Sequence, residues 1–236
     1  MGLKESGLRG SLRNVSVGID AIPDSGDYQW YVDEAEGTTI NPEIGDVTWS
    51  IEGGSWESES GAVGDYYVSL DSADEVVMDS DVTLSNQLTI FGWMRGQFDF
   101  SDEFNETILQ NLDFADDGWA MASEGDGVPE LGFSNQESGS SSATVRNVGW
   151  VDNGEWGFFG LLMDGSETRL ITWSNSEEVD DSGWDDDGTN PNEIDDRWKY
   201  GGDRWGGAEL DLDFNGYANF VLSKSELEEL WEATQR

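Results

Sequence analysis

The chain has 236 residues, of which 51 are Asp or Glu and 11 are Lys or Arg, so its formal net charge is −40. This charge excludes ordinary nucleic-acid binding, which needs a basic face, and the absence of Cys and His excludes disulfides, thiol nucleophiles, zinc sites and His-dependent triads. An aromatic content of 12 %, with twelve Trp, is too high for a disordered acidic tail and predicts a folded acidic domain.

The first 19 residues differ from the rest of the chain in charge. They contain Lys4, Arg9 and Arg13 but only one acid, Glu5, so this segment carries +2 while the remainder carries −42. Two interpretations are open, a frayed terminus or an arm that docks on an acidic partner or a sister subunit. The aliphatic residues between the charges favour the arm.

We place the end of this arm near residues 41–45, because regular β-strand patterning starts there. Residues 1–45 are then an anchoring or oligomerisation arm, and residues 46–236 are one domain. The N-terminus has no apolar run of signal-peptide length, and no later stretch approaches a membrane span. We therefore expect a protein that is made without an export signal and is not inserted in a membrane.

From Val47 onward, short β-prone runs alternate with Gly, Asp, Asn and Ser at spacings typical of an all-β sandwich. Eleven strands are predicted in this part of the chain. They are residues 66–70, 75–79, 88–95, 107–112, 119–123, 130–134, 142–148, 157–164, 168–174, 209–214 and 216–222.

A short helix is predicted at the C-terminal end. Ser225 and Glu228 have the spacing of a capping box, which would open the helix. Leu227, Leu230 and Trp231 then share one face, so we expect that face to pack on the sandwich.

Four segments resemble one known family in the same order. YYVSLDSADEVVMD (66–79) is similar to its opening hairpin, and LTIFGWMR (88–95) to its first Trp strand. GEWGFFGLLMDGSETRLITWSNSEE (154–178) looks like its second Trp strand, Asp-Gly turn and following strand, and FNGYANFVLSKSELEELW (214–231) resembles its closing strand and helix. The family is the LamG-like branch of the concanavalin A-like jelly rolls. The resemblance implies a jelly-roll sandwich of two antiparallel sheets that binds glycans or proteins.

The strand ELDLDF, residues 209–214, carries a pattern that enzymes use. Alternation places Glu209, Asp211 and Asp213 on one face about 7 Å apart, while Phe214 and two leucines lie on the other. Glycosidase acid and nucleophile pairs use such separations, and the phrase resembles the E-x-D-x-E signature of laminarinase-type hydrolases. In a chain this acidic, a solvated strand explains the pattern as well. We expect no enzyme, and a glycoside hydrolase that uses Glu209 and Asp213 is the alternative.

Residues 175–196 contain ten acids and no basic residue. Their oxygen atoms suit calcium or magnesium, although the spacing is not that of an EF-hand, and a solvated acidic loop is the alternative. The candidate ligands are Asp185, Asp187, Asn190, Asn192 and Asp196.

Aromatic residues accompany these acids at Trp184, Trp198, Tyr200 and Trp205. Sugar recognition uses exposed rings beside carboxylates, because the apolar face of a pyranose stacks on the ring while carboxylates accept hydrogen bonds from hydroxyls. The alternative is that these rings close one end of the sandwich or a subunit interface.

Extreme acidity with only three lysines predicts a protein adapted to brine, since about 1 M salt shortens the Debye length to roughly 3 Å and screens the repulsion. The opening GLKESGLRGSLRNVSVGI (2–19) resembles the N-termini of structural proteins of tailed viruses that infect haloarchaea. We therefore expect a virion surface protein such as a capsid decoration, turret or tail appendage. It would be made in the host cytoplasm, bind capsid or tail proteins, form a homo-oligomer and display a jelly roll to host glycans. A cellular carbohydrate-binding adhesion module is the alternative.

Overall fold

The computed structural model describes residues 28–30, 36–44, 47–58, 66–79, 86–101, 106–111, 118–125, 127–136, 144–186, 197–202 and 207–235. Within these ranges the chain forms two antiparallel sheets that pack as a jelly-roll sandwich, with a short helix at the C-terminal end. The predicted fold class is confirmed.

Eighteen strands are described between Tyr28 and Ala218. In chain order they are β1 (Tyr28–Trp30), β2 (Thr39–Ile40), β3 (Pro42–Ile44), β4 (Trp49–Glu52), β5 (Ser55–Ser58), β6 (Tyr66–Leu70), β7 (Glu75–Met78), β8 (Gln87–Gln97), β9 (Thr107–Asn111), β10 (Gly118–Glu124), β11 (Glu130–Gln136), β12 (Thr144–Gly149), β13 (Gly157–Asp164), β14 (Glu167–Trp173), β15 (Glu178–Asp181), β16 (Asp185–Asp186), β17 (Trp198–Gly201) and β18 (Glu209–Ala218).

The strands divide into a ten-stranded sheet A and an eight-stranded sheet B. Sheet A has the order β15-β14-β13-β8-β18-β1-β3, with β16 beside β14, β6 beside the first half of β18, and β5 beside β6. Sheet B has the order β12-β11-β10-β9-β17-β7-β4-β2. Each pairing between neighbouring strands is antiparallel in the described part of both sheets.

Sheet A is apolar on both faces, which explains the nearly continuous apolar run in β8. Leu88, Ile90 and Met94 point into the core between the two sheets. Phe91 and Trp93 point to the opposite face, where they belong to a second buried cluster. Such two-sided burial is typical of a central strand covered on both faces.

The second cluster is covered by helix α1, Lys224–Ala233. Ser223 is its N-cap and forms a capping box with Glu226. The box predicted at Ser225 and Glu228 therefore lies two residues too late, because both Ser-x-x-Glu spacings occur in the segment and periodicity alone does not distinguish them. Within the described part of the chain, no helix combines the length and hydropathy that crossing a bilayer requires.

The predicted apolar face of α1 is confirmed, since Leu227, Leu230 and Trp231 are buried against sheet A. The last turn is fixed by a buried hydrogen bond in which Trp93 Nε1 donates to Thr234 Oγ1 at 2.8 Å. This bond joins the helix to the centre of the sheet.

A β-bulge in β18 corrects the predicted facing of Phe214. Leu210 and Leu212 enter the core between the sheets as expected, but Phe214 lies in the cluster beneath the helix. The register shifts between Asp213 and Asn215, and Phe214 adopts φ of 40°. The extra residue interrupts the alternation, so a strict period of two assigns Phe214 to the wrong face.

Part of the predicted arm belongs to the sandwich. Strand β1 pairs with β18, and β2 pairs with β4. Strand pairing therefore crosses the predicted boundary near residue 45, and the division into an arm and a domain stays a prediction. Lys4, Arg9 and Arg13, which were assigned to the arm, lie outside the described residues.

Candidate functional site

One end of sheet A brings together the ends of six adjacent strands, and we call it the rim. Strands β6, β8 and β14 finish there, and β13, β15 and β18 begin there. The register places Leu70 opposite Leu210, and Gln97 opposite Glu209. Two cavities open on the rim.

The first cavity, which we call the cleft, has a volume of about 380 Å³ and lies where β6 and β8 end and β18 begins. Its described lining contains three acidic residues and one basic residue, so the lining is acidic. The lining residues are Ser69, Leu70, Asp71, Arg95, Gly96, Gln97, Gly154, Glu209, Leu210 and Asp211.

The basic residue of the cleft, Arg95, is held rigidly. Its Nε and Nη2 atoms donate to Oδ2 of Asp211 at 2.8 and 2.7 Å. Its guanidinium carbon also lies 4.6 Å from the ring centroid of Trp156 and 5.1 Å from that of Tyr67. These cation–π contacts and the ion pair fix both the guanidinium and the Trp156 ring.

The second cavity, which we call the pocket, has a volume of about 520 Å³ and lies between the connection β12–β13 and the connection β14–β15. Two tryptophans and several exposed polar residues surround it. The lining residues are Trp150, Val151, Asp152, Glu155, Trp156, Ser174, Asn175, Ser176, Glu177, Glu178 and Val179.

The tryptophans of the pocket are largely buried, with 6 % of Trp150 and 7 % of Trp156 exposed. The Trp150 ring packs on the backbone of Gly157, where a Cβ atom would lie 2.5 Å from Trp150 Cη2. Glycine is therefore required at the start of β13. The rings are fixed parts of the domain, and each exposes only a small part of its surface.

The cleft and the pocket are separated by the connection of residues 150–156, which is fixed by hydrogen bonds. Asn153 Oδ1 accepts from the Phe98 amide at 2.9 Å, and Asn153 Nδ2 donates to the Phe98 carbonyl at 2.8 Å. The Gly154 amide donates to the Gly96 carbonyl at 2.9 Å. The wall between the cavities is therefore part of the rigid scaffold.

A turn that begins at Ser174 forms the opposite side of the pocket. Ser174 Oγ accepts from the amides of Ser176 and Glu177 at 3.2 and 3.1 Å. The Ser174 carbonyl accepts from Trp231 Nε1 at 2.7 Å, which ties the turn to α1. Asn175 and Glu177 are exposed at the tip of this turn and are free of the core.

Ion pairs secure the edge strand β15 beside the pocket. Arg169 binds both carboxylate oxygens of Asp181 at 2.8 and 2.5 Å, and Lys224 contacts Asp181 at 3.1 Å and Glu178 at 2.5 Å. The Arg169 guanidinium holds the pKa of the Asp181 carboxyl well below its usual range. Charged side chains on an edge strand also oppose pairing with other chains.

The structure corrects two of the predicted sugar-binding aromatics. Trp198 and Tyr200 are each 1 % exposed, because β17 is an inner strand of sheet B and both rings face the core. The Trp198 ring packs edge-on against Tyr217 at 4.9 Å between centroids. Trp184 is 39 % exposed and its role stays a prediction, and Trp205 lies outside the described residues.

Most of the predicted metal ligands cannot be placed. Asp185 is exposed in β16 and lies opposite Thr168 of β14. Asp187, Asn190, Asn192 and Asp196 lie outside the described residues. Across the residues that are described, no group of three or more acidic side chains could hold a metal ion, so calcium or magnesium binding stays a prediction.

The acids of β18 do not form an open pair. Glu209 is exposed at the mouth of the cleft, and Asp211 is engaged by Arg95. Asp213 is fully buried, with 0 % exposed, so it cannot reach a glycosidic oxygen in this conformation. The burial of Asp213 and the Arg95–Asp211 ion pair count against the alternative prediction of a Glu209–Asp213 catalytic pair.

Sequence reasoning missed the tryptophans of the rim and the role of Arg95. The segment WVDNGEW, residues 150–156, does carry a signal, since two Trp flank a polar turn with Asp, Asn and Gly. Arg95 and Asp211 are 116 positions apart, so no local pattern indicates that they pair.

No protein-family profile and no characterised protein sequence matches the chain. Its fold is similar to the binding domain of botulinum neurotoxin DC in complex with SialylT, with a TM-score of 0.63, 11 % identity, and coverage of 90 % of this chain and 52 % of that one. For the same domain in complex with rat synaptotagmin II, the TM-score is 0.64, the identity is 12 %, and the match covers 90 % of this chain and 52 % of that one. For the binding domain of Paraclostridial Mosquitocidal Protein 1, the TM-score is 0.59, the identity is 14 %, and the match covers 88 % of this chain and 52 % of that one. The chain spans about half the length of these structures, and the likeness establishes the fold.

Proposed function

We propose that the chain is a glycan-binding module and that the rim is its binding surface. The observation that carries this proposal is the pocket of about 520 Å³, which Trp150 and Trp156 line together with exposed acids and Asn175. Its volume falls in the range of about 300–1,000 Å³ that proteins use for small ligands.

The chemistry of the lining suits a sugar. The exposed parts of the two indoles offer apolar contact to the C–H groups of a pyranose, and carboxylates accept hydrogen bonds from its hydroxyls. Because the rings and the wall are fixed by packing and hydrogen bonds, little ordering is needed on binding. Asn175 and Glu177, on the exposed turn, supply the adjustable polar contacts.

The similar structures support binding rather than catalysis. One of them, described as in complex with SialylT, is a binding domain. Another similar structure, with a TM-score of 0.63 and 12 % identity, concerns botulinum neurotoxin type C, whose cell entry depends on interaction with two ganglioside molecules. This chain shares the fold of about half of each of those chains, and this likeness supports a glycan-binding role, which we assign to the rim.

The test is a glycan array followed by isothermal titration calorimetry, both in about 1 M KCl to screen the protein's charge. We expect Asn175→Ala and Glu177→Gln to weaken binding of the best ligand about tenfold or more. Glu167→Gln is the matched control, since it removes the same charge from an exposed position at the other end of β14. Equal affinities for Glu177→Gln and the wild type would count against the pocket.

The biological setting that we propose is the surface of a halophilic virus particle. The charge of −40 and the basic first 19 residues support it, because an acidic body in brine with an oppositely charged segment suits a displayed domain with an anchor. Capsid or tail proteins would hold that segment, and host glycans would bind at the rim.

Peptide mass spectrometry of density-purified particles tests this setting. Recovery in a fixed ratio to the major capsid protein would support it, and recovery on cell envelopes alone would favour a cellular adhesion module. Deletion of residues 1–27 should abolish incorporation and leave the described strands intact, since β1 begins at Tyr28. Undiminished incorporation of the deletion variant would refute the anchor.

A further inference from the structure

We infer that the cleft and the pocket form one extended site, which binds a neutral oligosaccharide that lies along the rim. This inference rests on the proposed function and adds the length and charge of the ligand. The cleft lies over β6, β18 and β8, and the pocket over β13, β14 and β15. Six neighbouring strands about 4.8 Å apart give a rim roughly 24 Å long, which is longer than a single sugar ring.

Only one chain segment separates the two cavities. Gly154 lines the cleft, and the next residue, Glu155, lines the pocket. Consecutive Cα atoms are about 3.8 Å apart, so a ligand leaving one cavity enters the other after crossing a single backbone. Trp156 connects them further, because it lines the pocket while Arg95 of the cleft lies over its ring.

Both cavities have acidic linings, which select for an uncharged ligand. In the cleft, Asp71 and Glu209 are exposed, and the only basic lining residue, Arg95, is already paired with Asp211. The described lining of the pocket contains four acids and no Lys or Arg, and one of the four, Glu178, is paired with Lys224. Carboxylates accept hydrogen bonds from sugar hydroxyls, but they repel carboxylated or sulfated sugars. In 1 M salt the Debye length is about 3 Å, so the repulsion persists between charged groups that are closer than this.

Calorimetry with ligands of graded length tests the inference. The probes are cello-, malto-, laminari- and manno-oligosaccharides from mono- to hexasaccharide, with oligogalacturonides as anionic counterparts, in about 1 M KCl. For the series that binds, we expect affinity to rise about tenfold or more from disaccharide to hexasaccharide. Oligogalacturonides of the same length should bind at least about tenfold more weakly.

Two variants fill the cleft from different strands, so that misfolding of one does not prevent the test. Ser69→Trp acts from β6 and Gln97→Trp from β8. Each should reduce the hexasaccharide affinity to that of the disaccharide and leave the disaccharide affinity unchanged. Ser166→Trp is the control, because it adds the same side chain at an exposed position in the hairpin at the opposite end of sheet A.

The outcomes separate the two proposals. Affinity that is independent of length, equal binding of oligogalacturonides, or folded cleft variants with unchanged hexasaccharide affinity would overturn the extended site. If the disaccharide still binds and Glu177→Gln weakens it, the proposed function survives that result. Absence of binding by every probe would overturn both.

Discussion

Gly157, at the start of β13, leaves room for the Trp150 ring that lines the pocket. A Cβ atom at this position would lie 2.5 and 2.6 Å from Cη2 and Cζ2 of Trp150, where ordinary contacts exceed 3.4 Å. Since the Trp150 ring is buried among core residues, Gly157→Ala must displace it against packed neighbours. Overpacking of this kind costs about 1–3 kcal/mol. For a chain of this length, a loss of about 2 kcal/mol corresponds to a fall in Tm of about 4–8 °C.

Calorimetric unfolding in constant high salt measures this loss, and near-UV circular dichroism reports the displacement of the ring. Gly149→Ala is the control, since the nearest atom to its Cβ position is Val179 Cγ1 at an ordinary 3.5 Å. It should change the free energy of unfolding by less than about 0.5 kcal/mol.

A double-mutant cycle assigns the cost to the ring itself. The contacting atoms belong to the six-membered ring of the indole, and the shorter Phe side chain of Trp150→Phe withdraws them. Gly157→Ala should therefore cost at least about 1 kcal/mol less in the Trp150→Phe background. An unchanged Tm for Gly157→Ala, or the same cost in both backgrounds, would show that the contact with the Trp150 ring does not set the cost.

Other predictions concern the helix, the edge strand and the net charge. Thr234→Val removes the acceptor of the buried Trp93 Nε1–H and should lower the urea unfolding free energy by about 1–3 kcal/mol, whereas Thr234→Ser keeps the hydroxyl and should restore most of it. The pKa of Asp181 is lower in the folded protein than in the unfolded chain, so the ionised carboxylate stabilises the fold above its unfolded pKa, and this stabilisation is lost progressively as pH falls below about 5. Asp181→Asn should therefore reduce the acid dependence of Tm, and an unaltered dependence would contradict the ion pair. Raising KCl from 0.1 to 1 M shortens the Debye length from about 10 to 3 Å and should raise Tm, and a flat response would argue against charge repulsion.

Local patterns predicted much of the fold. Tyr66–Leu70 and Gly157–Asp164 have the predicted bounds, because dense β-prone runs between turn residues define them without reference to other strands. The buried face of α1 follows from its period in the same way. In each case the information lies within about ten consecutive residues.

The remaining elements depend on partners that are distant in the sequence. Trp198–Gly201 becomes a strand because it pairs with both β7 and β9, although none of the eleven predicted strands covers it. The bulge at Phe214 has no signature in the alternation of ELDLDF. The rim is likewise assembled from six strands, so its residues could not be grouped before the order of the strands was known.

Indole NMR shows whether glycans bind at the rim. The protein is labelled with ¹⁵N-tryptophan, the resonances are assigned from Trp→Phe variants, and the best array ligand is titrated in high salt. We predict shifts at Trp150 and Trp156, while Trp198 in the core stays unchanged. Shifts confined to the exposed Trp184, or no shift of any indole at saturating ligand, would contradict the claim.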